Sequence, residues 1–212
     1  MGLENTQTGK YVGMSYGKFR VKTTSDNEKA EVRENQLGQK VYELVYNKLS
    51  NVMLKSVEKV EGQSDYGDQY VFAFFDKDED FKLFINEGAT ANKFINKLIN
   101  TKPNQDLTII SHYFEDTKKT EFTFIQSNEK VSAKYTREKP GDMPTLEKDW
   151  EKATKKEKTN FIIDLDEFFK EELMKFIQNI DILNDVQVEE PTQEDEGLNQ
   201  DEPDDVNNDL PF

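Results

Sequence analysis

The stretch Tyr70-Val71-Phe72-Ala73-Phe74-Phe75-Asp76-Lys77-Asp78-Glu79-Asp80-Phe81-Lys82-Leu83-Phe84-Ile85 decides the fold class. Residues 70–75 are a run of aromatic and β-branched side chains of strand length. Residues 76–80 are a polar turn, and 81–85 a second strand, which Asn86-Glu87-Gly88 breaks. Upstream, residues 52–60 are rich in Val and Leu and read as the preceding strand. The Gly, Ser and Asp of 62–68 make the turn between them. Downstream, Ala91, Phe94, Ile95, Leu98 and Ile99 fall at i, i+3, i+4, i+7 and i+8, which predicts a helix with one apolar face. Asn100-Thr101-Lys102-Pro103 ends it. Residues 107–114 and 121–126 are two further strands, with Phe122 and Phe124 on one face of the second.

The order strand, strand, strand, helix, strand, strand is that of an OB-fold, a five-stranded β-barrel plugged by a helix between its third and fourth strands. The expected fold class is therefore mainly β with α: an OB-type five-stranded barrel with an N-terminal strand extension, C-terminal helices and a disordered acidic tail. Residues 1–140 form the barrel domain with its extension, 141–184 a helical segment packed on it, and 185–212 the tail. In the extension, residues 11–22 alternate, so that Tyr16, Lys18, Arg20 and Lys22 share one strand face while Phe19 and Val21 share the other. Residues 26–39 read as a loop, and 40–49 as another strand with a helix as the alternative. After the barrel, 145–158 read as a polar helix with Leu146, Trp150 and Ala153 on one side. Asp164 and Glu167 read as the cap of a second helix, whose stripe Leu165, Phe168, Phe169, Leu173, Phe176, Ile177 and Ile180 packs on the barrel.

Charge is divided along the chain. The formal net charge is -15, but residues 185–212 hold 11 acidic and no basic residues, which leaves 32 acidic and 28 basic residues elsewhere. Residues 1–60 carry ten Lys/Arg against seven Asp/Glu, and 117–160 carry eleven against eight. Basic segments in a near-balanced body can meet phosphate, whereas the tail repels it. Cysteine is absent, which removes disulfides, thiol nucleophiles and zinc–thiolate sites and fits a reducing cytoplasm. The lone His112 excludes H-E-x-x-H chemistry. No window is apolar enough to span a membrane, and Met1 to Thr6 lack a signal-peptide core. They match the loose myristoylation pattern, but Glu4 follows closely and no polybasic second anchor stands nearby.

The polar tail finishes in Asp209-Leu210-Pro211-Phe212. Exposed Leu and Phe add nothing to the solubility of an acidic segment. They fit docking instead, with Phe212 in a partner's apolar pocket, its carboxylate on a basic rim and the acids upstream steering the encounter. This terminus resembles that of bacterial and bacteriophage single-stranded-DNA-binding proteins, which end in an acidic tail closed by Asp-Ile-Pro-Phe or a near variant. Leu210 replaces Ile, Asn207-Asn208 interrupt the acidic run, and the long Gly/Gln-rich linker of many bacterial members is missing. Residues 9–22 and 41–49, with Ala133-Lys134-Tyr135-Thr136-Arg137, are similar to OB-type members from phages of gut bacteria. The resemblance implies non-sequence-specific binding of single-stranded DNA in replication, recombination and repair, with the tail recruiting partner proteins, and no cofactor.

A single strand offers phosphates to Lys and Arg and base faces to aromatic rings. The expected contact set is Tyr16, Lys18, Arg20 and Lys22, followed by Tyr46, Tyr66, Tyr113, Tyr135 and Arg137. Asp209, Leu210, Pro211 and Phe212 form the partner-docking set. An enzyme is the competing class. Asp76, Asp78 and Asp80 form a D-x-D-x-D run, but a calcium loop needs Gly at its sixth position and Glu at its twelfth; Glu87 stands at the twelfth, Phe81 stands at the sixth, and the run lies in a hairpin turn. His112 has no nucleophile placed beside it by motif, so no catalytic or metal residue is expected. An acidic adaptor that mimics DNA is the other alternative, and the basic segments argue against it.

Overall fold

The structure is a computed structural model that describes residues 10–35, 38–62, 67–77 and 79–186, the last six without their side chains. The elements are β1 (Lys10–Ser15), β2 (Lys18–Lys22), β3 (Glu31–Glu34), β4 (Lys40–Tyr46), β5 (Lys48–Val60), β6 (Gln69–Asp76), β7 (Glu79–Asn86), α1 (Ala89–Leu98), β8 (Leu107–Phe114), β9 (Lys119–Gln126), β10 (Glu129–Val131) and α2 (Lys155–Val186). The fold is mainly β with two helices. Among the described residues the strands form one sheet in the order β10-β9-β8-β5-β6-β7-β1-β2-β4-β3.

The thirteen-residue β5 organises the sheet. Its first half pairs with β8 and its second half with β6, with register shifts between Leu49 and Val52 on one side and Leu54 and Ser56 on the other. Such irregularities bend and twist a strand. The sheet accordingly curls around α1. Phe94 of α1 lies 4.8 Å from Phe72 of β6 and 5.1–5.2 Å from Phe124 and Phe122 of β9, ring centre to ring centre. These rings, with Val12, Phe19, Phe74, Phe81, Leu83, Ile85 and Ile109, form the core. No ladder joins β9 to β7 among the described residues. The free edge of β7 is taken by β1, which runs parallel to it and sets Val12 beside the core residue Leu83.

The strands at 70–75, 81–85 and 107–114 and the helix lie where the sequence put them, and 40–49 is strand on both sides of Asn47. Four expectations need correction. Residues 11–22 are a hairpin rather than one strand: Tyr16 and Gly17, both at positive φ, form a two-residue turn, so Tyr16 shares no strand face with Lys18, Arg20 and Lys22. The loop at 26–39 contains β3, whose Arg33 clamps Glu43 of the neighbouring strand. Residues 145–149 are not helical. A single 3₁₀ turn, Trp150–Lys152, precedes extended Ala153. The helix then begins at Lys155 and not near Asp164, because Thr154 and Glu157 form the capping box: the Glu157 N–H donates to the Thr154 hydroxyl, and the Thr154 N–H donates to the Glu157 carboxylate at 2.7 Å. Lys148, together with the Thr154 N–H and the Thr154 hydroxyl, which donates to the same carboxylate at 2.8 Å, holds the Glu157 carboxyl at about 2.

Helix α2 buries Phe169, Leu173, Phe176 and Ile180 in the same core, with Leu165, Phe168 and Ile177 partly covered, as its stripe predicted. Residues 133–137 link it to the body. The Tyr135 ring meets Phe168 edge-on at 5.0 Å, and its hydroxyl donates to Glu172. Asn96 of α1 holds the Tyr135 backbone through two bonds of 2.9 Å. Glu172 also accepts from Lys134 at 2.7 Å and Lys175 at 2.9 Å. Burial pushes the Glu172 carboxyl up, but these three donors outweigh it and hold the group at about 2. Among the described residues no helix is long and apolar enough to cross a membrane.

Candidate nucleic-acid interface

Side chains alternate along each strand, so the residues that miss the core line the outer face of the sheet. The register puts Tyr11, Gly13 and Ser15 of β1 on that face, beside Lys82 and Phe84 of β7 and Lys18, Arg20 and Lys22 of β2. The Tyr11 and Phe84 rings stack there at 5.7 Å with 30° between their planes, and Tyr11 is 47% exposed. Next along the face, Phe75 of β6 carries the Lys55 ammonium 4.6 Å from its ring centre, with Asp80 holding that lysine at 2.8 Å. A Cβ on Gly13 would meet nothing nearer than the Arg20 carbonyl at 4.0 Å, so the surface beside the stacked rings is open.

The cations of this face differ in their freedom. Among the described residues Lys18, Lys22 and Lys82 take part in no ion pair. Arg20 instead pairs with Glu43 at 3.2 Å and Glu31 at 3.8 Å. Glu43 is 3% exposed and takes both ends of the Arg33 guanidinium, at 2.7 and 2.8 Å. Arg33 first, and then Arg20, hold its carboxyl below the usual carboxylate range against the opposing effect of burial. Arg20 therefore neutralises a buried acid and fixes β2 to β4.

The remaining expected residues scatter. Tyr46 is exposed but pairs across from Phe19, which sets it on the face opposite Arg20. Tyr135 is spent on the α2 anchor, and Arg137 is exposed in the loop after it. Tyr66 and residues 209–212 lie outside the described residues, as does Asp78. Among the described residues no group of three or more His, Asp or Glu side chains gathers as a metal site.

Tyr16 and Tyr113 do come together, edge to face at 5.9 Å, where the turn between β1 and β2 meets β8. Gly17 makes that approach possible, since a Cβ there would lie 2.7 Å from the Tyr113 Cβ. Tyr16 has φ +48° and is 70% exposed. A bulky L-residue in the left-handed region costs roughly 1–2 kcal/mol, and a two-residue turn of this kind favours Asn-Gly. Among the described non-glycine residues at positive φ, Tyr16 is the only aromatic. Its turn borders a cleft of about 260 Å³ at the ends of β1 and β7, walled on the far side by Thr90 of α1 and Thr120 of β9.

Tyr11, Lys82 and Phe84 were missed in the sequence. The signal was present: if Phe81, Leu83 and Ile85 point inward, Lys82 and Phe84 must point out. Comparison with protein-family models, with curated proteins and with solved structures finds no match to this chain.

Proposed function

We propose that this protein binds single-stranded DNA without sequence specificity across the outer face of β6, β7, β1 and β2. The carrying observation is the stacked Tyr11–Phe84 pair, open to solvent and flanked by Lys18, Lys22 and Lys82. Rings supply stacking platforms for bases, and unpaired lysines supply phosphate contacts that no carboxylate already occupies. The arrangement β5-β6-β7-α1-β8-β9, with β5 shared between β6 and β8, supports an OB-type reading, in which the face of the second and third strands binds oligonucleotides. Those strands correspond to β6 and β7. The acidic segment with Asp209-Leu210-Pro211-Phe212 recruits replication and recombination proteins in this reading, and placement in a reducing cytoplasm agrees with the lack of cysteine.

Fluorescence anisotropy with labelled oligo-dT tests the proposal. Tyr11→Ala removes an exposed ring that has no part in the core, so the fold persists while each lost stack weakens binding by about 1–3 kcal/mol. Equal affinity of the two proteins would remove this face from the site. Removing residues 185–212 tests recruitment separately: oligo-dT binding persists or strengthens, and capture of partner proteins is lost.

A further inference from the structure

We infer that the cleft at the ends of β1 and β7 takes one unstacked nucleobase from the strand bound on the neighbouring sheet face. This inference rests on the single-stranded-DNA reading above. The two features are continuous. Tyr11, Gly13 and Ser15 on β1, and Lys82, Phe84 and Asn86 on β7, run side by side in the same direction, and Ser15 and Asn86 line the cleft. A strand following the stacked rings along these parallel strands arrives at the opening.

Size and chemistry select the occupant. About 260 Å³ is below the ~300–1,000 Å³ of pockets that enclose drug-sized ligands, so the cleft suits a single ring system. No Lys or Arg lines it among the described residues, and Glu87 does, which disfavours a phosphate. Ser15, Thr90 and Thr120 bring hydroxyls, and Asn86 an amide. These groups both donate and accept, so they suit the edge of any base. Tyr16 supplies the ring. Its strained backbone is not needed to make the turn, because Asn would make the same turn without strain. The bulky side chain is thus held at the mouth of the cleft against local preference, as strained residues at binding sites are.

Tyr16→Asn separates this role from a structural one. The full chain and the variant are compared by thermal melting and by affinity for oligo-dT and for a base-free deoxyribose-phosphate strand of equal length. The expected result is an equal or higher melting temperature for Tyr16→Asn, because relief of the strained turn offsets loss of the Tyr113 ring contact, a roughly five- to hundredfold loss of oligo-dT affinity, and unchanged affinity for the base-free strand. Ala89→Phe, which adds bulk at an exposed lining position, should give the same binding pattern. Unchanged oligo-dT affinity in both variants, or equal losses on both strands, would overturn the cleft while leaving the sheet face standing. Failure of the unmodified chain to bind oligo-dT would remove the function and the inference together.

Discussion

Replacing Glu172 by Gln tests whether α2 is fastened through one buried carboxylate. The side chain is 8% exposed and accepts from Lys134, Lys175 and the Tyr135 hydroxyl. A carboxyl held at about 2 against an ordinary 4.5 corresponds to roughly 3 kcal/mol of differential stabilisation of the charged form. Lys134 and Lys175 are 41% and 66% exposed, so water compensates them when the charge is lost, and about 2 kcal/mol is expected to remain. For a chain of this length that is a fall in melting temperature of roughly 4–8 °C at pH 7. The folded-state carboxyl is depressed, so its contribution is complete above about pH 5 and fades as pH falls towards 2. Thermal and urea melts of both proteins from pH 7 to pH 2 should therefore start apart and converge. A Glu172→Gln variant as stable as the parent at pH 7, or a gap that persists unchanged to pH 2, would refute the anchoring argument.

Two further outcomes follow from single sites. Asp166 lies against Asn92, where burial raises its carboxyl above the usual range and the Asn92 Oδ1 is buried without a hydrogen bond. Asp166→Asn supplies the missing donor and removes a half-buried charge, so it should stabilise by about 1 kcal/mol at pH 7, read as a melting temperature roughly 2–4 °C higher. Because the wild-type carboxyl is raised, its penalty applies only when it is ionised, and the two melts should meet in acid. Gly13→Val places a β-branched side chain in open space on a strand, so the fold should melt at an equal or higher temperature while oligo-dT affinity drops at least tenfold, measured by anisotropy.

The strands and helix between residues 69 and 126 were legible because their alternation and their i, i+3, i+4 spacing are written in large apolar residues. What escaped had weaker or competing signals. Tyr16 interrupts a regular alternation without the Asn or Asp that marks a two-residue turn, so the hairpin read as one strand. β3 is exposed at all four positions and is held by Arg33 rather than by apolar burial, leaving no period to detect. The start of α2 depends on Thr154 and Glu157, a signature present in the sequence but overshadowed by the apolar stripe that begins ten residues later. At the candidate interface, the basic stripe of β2 was visible. That Arg20 serves Glu43 depends on a pairing across strands that spacing along the chain does not reveal.

The most direct test of the central claim is the salt dependence of oligo-dT binding, measured for the full chain and for the Lys18→Ala, Lys22→Ala, Lys82→Ala triple variant. If the outer sheet face grips unpaired nucleotides, log affinity falls linearly with log salt, and the triple variant loses about 0.7 of slope per lysine, roughly 2 in all. A parent chain that does not bind oligo-dT in dilute buffer, or a variant with the same slope and affinity as the parent, contradicts the account.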